Sequence, residues 1–323
     1  MEFTGDKYLK LHDYNKAIEY YSKSIRYYPK NLTAIHSRGR AYEENGEIDR
    51  AIIDYSLAIS LDTTFAKAYR SRGFIFFSKN EYIKAIQDYS KSIIIDPYNH
   101  SAYSNRACCK KEICDFEGAI IDFKKSIEID STYSIPYGQL SDLEFDISNY
   151  DLSKLYAEKA IKYDSNNVVG YGNLGLVYIK FHDWNAAISN LSKAIAINPH
   201  WSSYFNNRGY AYSYLKKFDK AIKDYDTAIS IDSLNPNNYQ NRGDLYADLN
   251  KNIKALNDYN KAISFLDSLT EKDFGVTFYN RGIIKQRLGD TNGSKIDFNK
   301  AKELGYDPEK YYEFNKWNTC KAK

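Results

Sequence analysis

A small residue returns every 34 positions along this chain, at Gly39, Gly73, Ala107, Ser141, Gly175, Gly209 and Gly243. One step upstream falls on Gly5, and a further copy at Gly282 follows after 39 residues, so five residues are inserted near LDSLTEKDFGVT. An Ala-Ile marker keeps the same step at Ala17, Ala51, Ala85, Ala119, Ala187 and Ala221, with Ala255 next. These markers define nine copies over nearly the whole chain. A unit this short cannot bury its own apolar face. A periodic chain therefore has to stack its units into an array rather than close around one core.

Each copy reads as two helices. In the seventh, Phe205, Gly209 and Tyr212 fall at helical spacing, and Ala221, Tyr225 and Ala228 do the same. Lys217-Phe218-Asp219 marks the turn between the two. The small residues let the helices approach closely and the tyrosines fill the space that remains. Pro29, Pro97 and Pro199 stand just past second helices, where proline stops a helix.

The 34-residue period and the pattern small–x2–Tyr…Ala–x3–aromatic–x2–Ala resemble the tetratricopeptide repeat (TPR) family. The resemblance covers nearly the whole chain. It implies an all-α fold, a right-handed superhelical TPR solenoid of about nine helix-turn-helix repeats with first helices lining a concave groove. On this reading the array occupies residues 1–304, and 305–323 form a capping helix and tail. Asp307 is the expected N-cap of that last helix and Pro308 its first residue, with Tyr311, Phe314 and Trp317 on one face. The first repeat lacks the opening turn of its first helix. Either it is frayed, or the natural chain starts further upstream.

Arginine precedes the small residue in six copies: Arg38, Arg72, Arg106, Arg208, Arg242 and Arg281. The same six carry an aspartate sixteen residues later: Asp54, Asp88, Asp122, Asp224, Asp258 and Asp297. The other three copies have neither, and hold Thr4 with Tyr20, Leu140 with Tyr156, and Leu174 with Asn190. A desolvated ion pair explains residues that switch together. Losing one partner strands a charge at a cost of about 3–5 kcal/mol, whereas replacing both is often neutral. An exposed pair, worth under ~1 kcal/mol, enforces no such coupling. We therefore expect these arginines to hold the scaffold together, within a repeat or across the seam between repeats, with the ligand site elsewhere.

The family geometry implies which residues face the groove. The position two before the small residue is Asn105, Asn173, Asn207, Asn241 and Asn280, with Gln139 in the fifth repeat and Ser37 and Ser71 in the second and third. Such a row of carboxamides offers donors and acceptors to the backbone of an extended peptide. It resembles the asparagine ladder in the TPR superhelix of O-GlcNAc transferase, although no glycosyltransferase domain follows here. The other reading is that these asparagines cap or bridge neighbouring helices. The second and third repeats add His36, Arg40, Lys67, Arg70, Phe74 and Phe77, a basic and aromatic patch suited to an acidic or C-terminal peptide. The fifth offers Asp142, Phe145 and Asp146 and the eighth Asp244 and Asp248, suited to basic segments.

Co-chaperone TPR domains hold the C-terminal Glu-Glu-Val-Asp tails of heat-shock chaperones in a carboxylate clamp. Tyr103–Cys109 resembles its middle element and Arg70 stands at its first basic position. Phe74 replaces the first asparagine of the clamp, and Ile135 and Gln139 replace its Lys and Arg. The clamp is incomplete, which argues against that activity.

The rest of the sequence excludes more than it suggests. With 45 Lys plus Arg against 42 Asp plus Glu, the net charge of +3 gives no case for nucleic-acid binding. There is no apolar run long enough to cross a membrane and no signal pattern at the N-terminus, so a cytoplasmic location is expected. Cys108, Cys109, Cys114 and Cys320 lack metal-ligand spacing, and the five histidines are scattered. No phosphate-cradling loop or metalloprotease motif occurs. Neither cofactor, metal nor enzymatic activity is expected. The expectation is a scaffold or adaptor for a protein or peptide partner. The alternatives are an assembly protein that forms homo-oligomers through its ends or convex face, and the TPR segment of a larger protein.

Overall fold

The computed structural model describes residues 2–265 and 274–306. Among these it holds eighteen α-helices and no strand. The chain divides into two compact units between Pro136 and Tyr137. The first contains α1 (Glu2–Lys10), α2 (Tyr14–Tyr27), α3 (Leu32–Glu44), α4 (Ile48–Leu61), α5 (Ala66–Ser78), α6 (Tyr82–Ile95), α7 (His100–Glu112) and α8 (Phe116–Ile129). At the division lies α9 (Ser134–Asp146). The second unit continues through α10 (Tyr150–Tyr163), α11 (Val168–Lys180), α12 (Trp184–Ile197), α13 (Ser202–Tyr214) and α14 (Phe218–Ile231). It ends with α15 (Pro236–Asp248), α16 (Asn252–Ile263), α17 (Gly275–Arg287) and α18 (Thr291–Glu303). Odd-numbered helices are first helices of repeats and even-numbered ones second helices. The helix expected over Asp307–Trp317 and part of the five-residue insertion lie outside the described residues.

The 34-residue markers explain why the pairs close. Tyr55 on α4 is fully buried against Gly39 on α3, where a Cβ would stand 2.7 Å from its ring. No side chain larger than hydrogen fits that approach without moving the ring. Ala17, Ala51, Ala85, Ala119, Ala187, Ala221 and Ala255 are likewise fully buried. In the fifth repeat the small residue is Ser141, and the hydroxyl of Ser153 donates to its carbonyl at 2.8 Å. Helix α1 has nine residues where α3, the first helix of the next repeat, has thirteen.

Turns inside the repeats follow a rule that glycine content alone does not reveal. The chain takes positive φ at His12, Gly46, Asn80, Cys114, Ser148, His182, Lys216 and Asn250, again 34 residues apart, and at Gly289. This left-handed residue just past the first helix lets later N–H groups reach back to its open carbonyls. At Gly46 the closing bonds are Gly46 N–H to Glu43 O at 3.0 Å and Glu47 N–H to Tyr42 O at 2.8 Å. Asn31, Asn99, Asn167 and Asn235 cap the N-termini of α3, α7, α11 and α15 through their side chains.

Candidate functional site: a basic groove across α3, α5 and α7

Each of the six arginines donates two parallel hydrogen bonds to the aspartate of its own repeat, at 2.7–2.8 Å. The pairs are Arg38–Asp54, Arg72–Asp88, Arg106–Asp122, Arg208–Asp224, Arg242–Asp258 and Arg281–Asp297. The carboxylates are buried and the guanidiniums mostly so. The third guanidinium nitrogen crosses the seam to the second helix of the preceding repeat. It reaches Ser22, Ser56, Ser90 and Ser192 at 2.9–3.2 Å, Asp226 at 2.6 Å and Asn260 at 2.9 Å. One guanidinium thus fastens three helices. The seam partner was missed in the sequence, although it also lies sixteen residues from the arginine, on the N-terminal side, in five of the six repeats. All three nitrogens of each guanidinium are thus engaged within the scaffold.

The carboxamide row is partly engaged as well. Asn173 donates to the Gly138 carbonyl at 3.3 Å, Asn241 to Asn206 Oδ1 at 3.2 Å, and Asn280 to Asp244 Oδ1 at 3.0 Å. Each of these bonds joins one first helix to the next. Asn173 is buried, Asn105 and Asn207 half-buried. Asp244 also accepts the Tyr259 hydroxyl at 2.6 Å. Burial pushes its carboxyl up to about 6, with the two donated hydrogen bonds opposing. It is a partly sequestered acid tied into the α15–α17 seam, whereas Asp248 is exposed. Asp142 is half-buried and Asp146 exposed. Phe145 packs on Tyr150, with ring centroids 5.3 Å apart.

The basic patch converges. Arg40 on α3 and Lys67 on α5 are exposed, and Arg70 on α5 is half-buried. They line an open pocket of about 400 Å³ with His36, Phe65 and Ser71. A second pocket of about 220 Å³ shares Arg40, Arg70 and Ser71 and extends to Phe74, Ser101 and Asn105 on α7. The two form one surface over three successive first helices. Among the described residues, none of the three cations has a carboxylate within salt-bridge distance. Glu43 lies in the second pocket, where it accepts the Tyr55 hydroxyl at 2.6 Å, and exposed Glu44 stands at its edge. The positive charge is therefore concentrated in the first pocket. Phe74, 47% exposed, presents its ring to the groove. Phe77 does not join it, because it packs against Tyr82 and the Ala85–Tyr89 cluster.

His36 forms the wall between Arg40 and the α5 cations. Its Nε2 is 2.9 Å from the Ser71 hydroxyl, and its ring packs on Tyr55 and Phe65. Burial, and then the charges of Arg40, Lys67 and Arg70, pull the imidazole down to about 4. It is neutral at physiological pH.

Elsewhere the chemistry is quiet. Burial pushes the Cys108 thiol up to about 11 and the Cys109 thiol up to about 12. A protonated thiol is a poor nucleophile and a poor metal ligand. Among the described residues no cluster of three His, Cys, Asp or Glu side chains is placed to hold a metal. No described helix is long and apolar enough to cross a membrane.

Three tetratricopeptide repeat models match residues 4–64, 202–238 and 236–265. The chain carries tetratricopeptide repeats at these positions. Its fold is an all-α helical-repeat solenoid of the kind that serves protein interaction. No curated protein matches this TPR sequence. Among solved structures it is similar to a chain of the APC/C hetero-tetramer Cut9-Hcn1, at 18% identity and TM-score 0.63, covering 81% of this chain and 52% of that one. It thus spans about half the length of that relative. A TPR protein from Parabacteroides merdae aligns at 16% identity and TM-score 0.56, over 76% of this chain and 94% of that one. IFIT1, solved with Gppp-AAAA, aligns at 12% identity and TM-score 0.59, over 93% and 80%. At these identities the likeness is one of fold alone.

Proposed function

We propose that the chain is a non-catalytic scaffold that binds an extended segment of a protein partner along its first helices. The observation that carries this reading is the continuous surface over α3, α5 and α7. It joins free cations, hydroxyls, the Asn105 carboxamide and the exposed Phe74 ring. An extended peptide needs such a mixture: donors for its backbone and its charged groups, and an apolar contact for one side chain. The buried pairs of Arg38, Arg72 and Arg106 support the reading from the other side, since they stiffen the three helices that carry the surface. A preorganised groove loses less entropy on binding. Asn105 and Asn207 serve as the contacting members of the row. Asn173, Asn241 and Asn280 act first as bridges between helices.

The test is binding of the full chain to an array of random twelve-residue peptides at physiological salt. Saturable binding of a subset, weakened at least tenfold by Asn105→Ala combined with Phe74→Ala, is expected. Failure to bind any peptide, with concentration-dependent self-association in the ultracentrifuge, would replace this reading with that of an assembly protein.

A further inference from the structure

The peptide-scaffold reading leaves the chemistry of the bound segment open, and the inference here rests on that reading. We infer that the pocket between α3 and α5 takes a run of acidic side chains, Asp or Glu, from inside the partner segment, gripped by Arg40, Lys67 and Arg70 beside His36.

Three features carry it. First, all three cations border one open pocket without a carboxylate partner among the described residues. Glu43 and Glu44 share only the second pocket with Arg40 and Arg70, and Glu43 accepts the Tyr55 hydroxyl there. Like charges gathered in one pocket that holds no acid repel one another and are relieved by an anion. Second, the cations are spread along two helices, and the pocket they share is flanked by Phe65 on one side and leads to Phe74 on the other. That spread over two helices suits successive carboxylates on an extended chain, with an apolar residue at its end against Phe74, rather than one compact dianion. Third, the groove continues past the cations toward Ser101 and Asn105. A segment can therefore enter and leave, and Phe74 stands where a carboxylate clamp for a chain terminus would need an asparagine. The acidic groups are side chains, not the terminal carboxylate.

His36 makes occupancy of this pocket measurable. In the free protein, burial and the three cations hold its ring at about 4. The groups that face it are Arg40 from its own helix, Tyr55 from α4, and Lys67 and Arg70 from α5, with Glu43 one step away through Tyr55. An acidic segment cancels the repulsion from the cations, so the ring's proton affinity rises on binding. By linkage the affinity then rises as pH falls through the bound-state pKa.

The experiment is the same peptide array, read for composition, with the full chain and with Arg40→Glu/Lys67→Glu. Both substituted side chains are exposed, and circular dichroism checks that the fold is kept. Enrichment of adjacent Asp and Glu among bound peptides, lost or reversed toward Lys and Arg in the double variant, is the expected result. Ring NMR of His36 should then show its pKa rising when the tightest acidic peptide is added, and His36→Gln should flatten the pH dependence. Peptides bound without acidic bias, or with a bias indifferent to the double variant, overturn the inference and leave the peptide-scaffold reading standing. So does a peptide that binds without moving the His36 titration. Preference for phosphoserine over Glu, or tighter binding of a single-stranded RNA oligonucleotide that displaces the peptides, also overturns it. No peptide bound at all sinks both.

Discussion

Replacing Arg208 with Leu should strand Asp224. That carboxylate is 7% exposed, and it loses both charge-assisted bonds, at 2.8 and 2.8 Å, together with its only compensating charge in the repeat. The Ser192 hydroxyl across the seam also loses its donor at 3.0 Å. Breaking a buried pair from one side costs about 3–5 kcal/mol. The sixth repeat indicates how the damage is repaired, since it holds Leu174 and Asn190 at the same two positions. There Asn190 donates to the Ala186 carbonyl of its own helix at 2.9 Å, and Leu174 is buried. Arg208→Leu/Asp224→Asn should therefore cost only about 0–1.5 kcal/mol, with a coupling energy above about 2 kcal/mol. Repeat arrays can unfold in segments. The measurement is accordingly native-state hydrogen exchange on α13 and α14 of all four proteins, alongside urea titration. A single-mutant cost below about 1 kcal/mol, with the double variant equal to the sum of its parts, would refute the reasoning. The pair would then be an ordinary surface pair, and the arginine would be available to a ligand.

Other expectations follow from the same geometry. Asp244 has a native pKa of about 6, above its ordinary 3.8, so the native state binds the extra proton. Stability should fall by about 1–3 kcal/mol as pH rises from about 4 to about 6, and Asp244→Asn should remove that slope in urea titrations at several pH values. Gly39→Ala puts a Cβ 2.7 Å from the Tyr55 ring and should destabilise by about 1–3 kcal/mol despite the better helix former. Lys216 sits at φ 56°, and Lys216→Gly should stabilise by about 0.5–1 kcal/mol, seen as a higher Tm.

Much of the fold is legible in the sequence because its determinants are local. A 34-residue spacing of small and aromatic residues sets which helices pair, and proline marks where they stop. The joint presence or absence of Arg38 with Asp54, and of the five equivalent pairs, is legible too, since the desolvation cost acts on both members of a pair. Three things were decided only in the tertiary structure. One is the use of Ser22, Ser56, Ser90 and Ser192 as third partners, because the seam between repeats exists only after stacking. Another is the left-handed turn, which Cys114, Ser148 and Lys216 accept because helix closure outweighs their intrinsic preference. The last is the division of the groove residues. Register alone places Asn173, Asn280, Phe74 and Phe77 on a common face. Side-chain packing then commits Asn173 and Asn280 to bridging, turns Phe77 into the Tyr89 cluster, and leaves Phe74 beside Arg40 and Arg70. Where those cations meet depends on contacts between residues about thirty apart, and a one-dimensional pattern carries no distance between them.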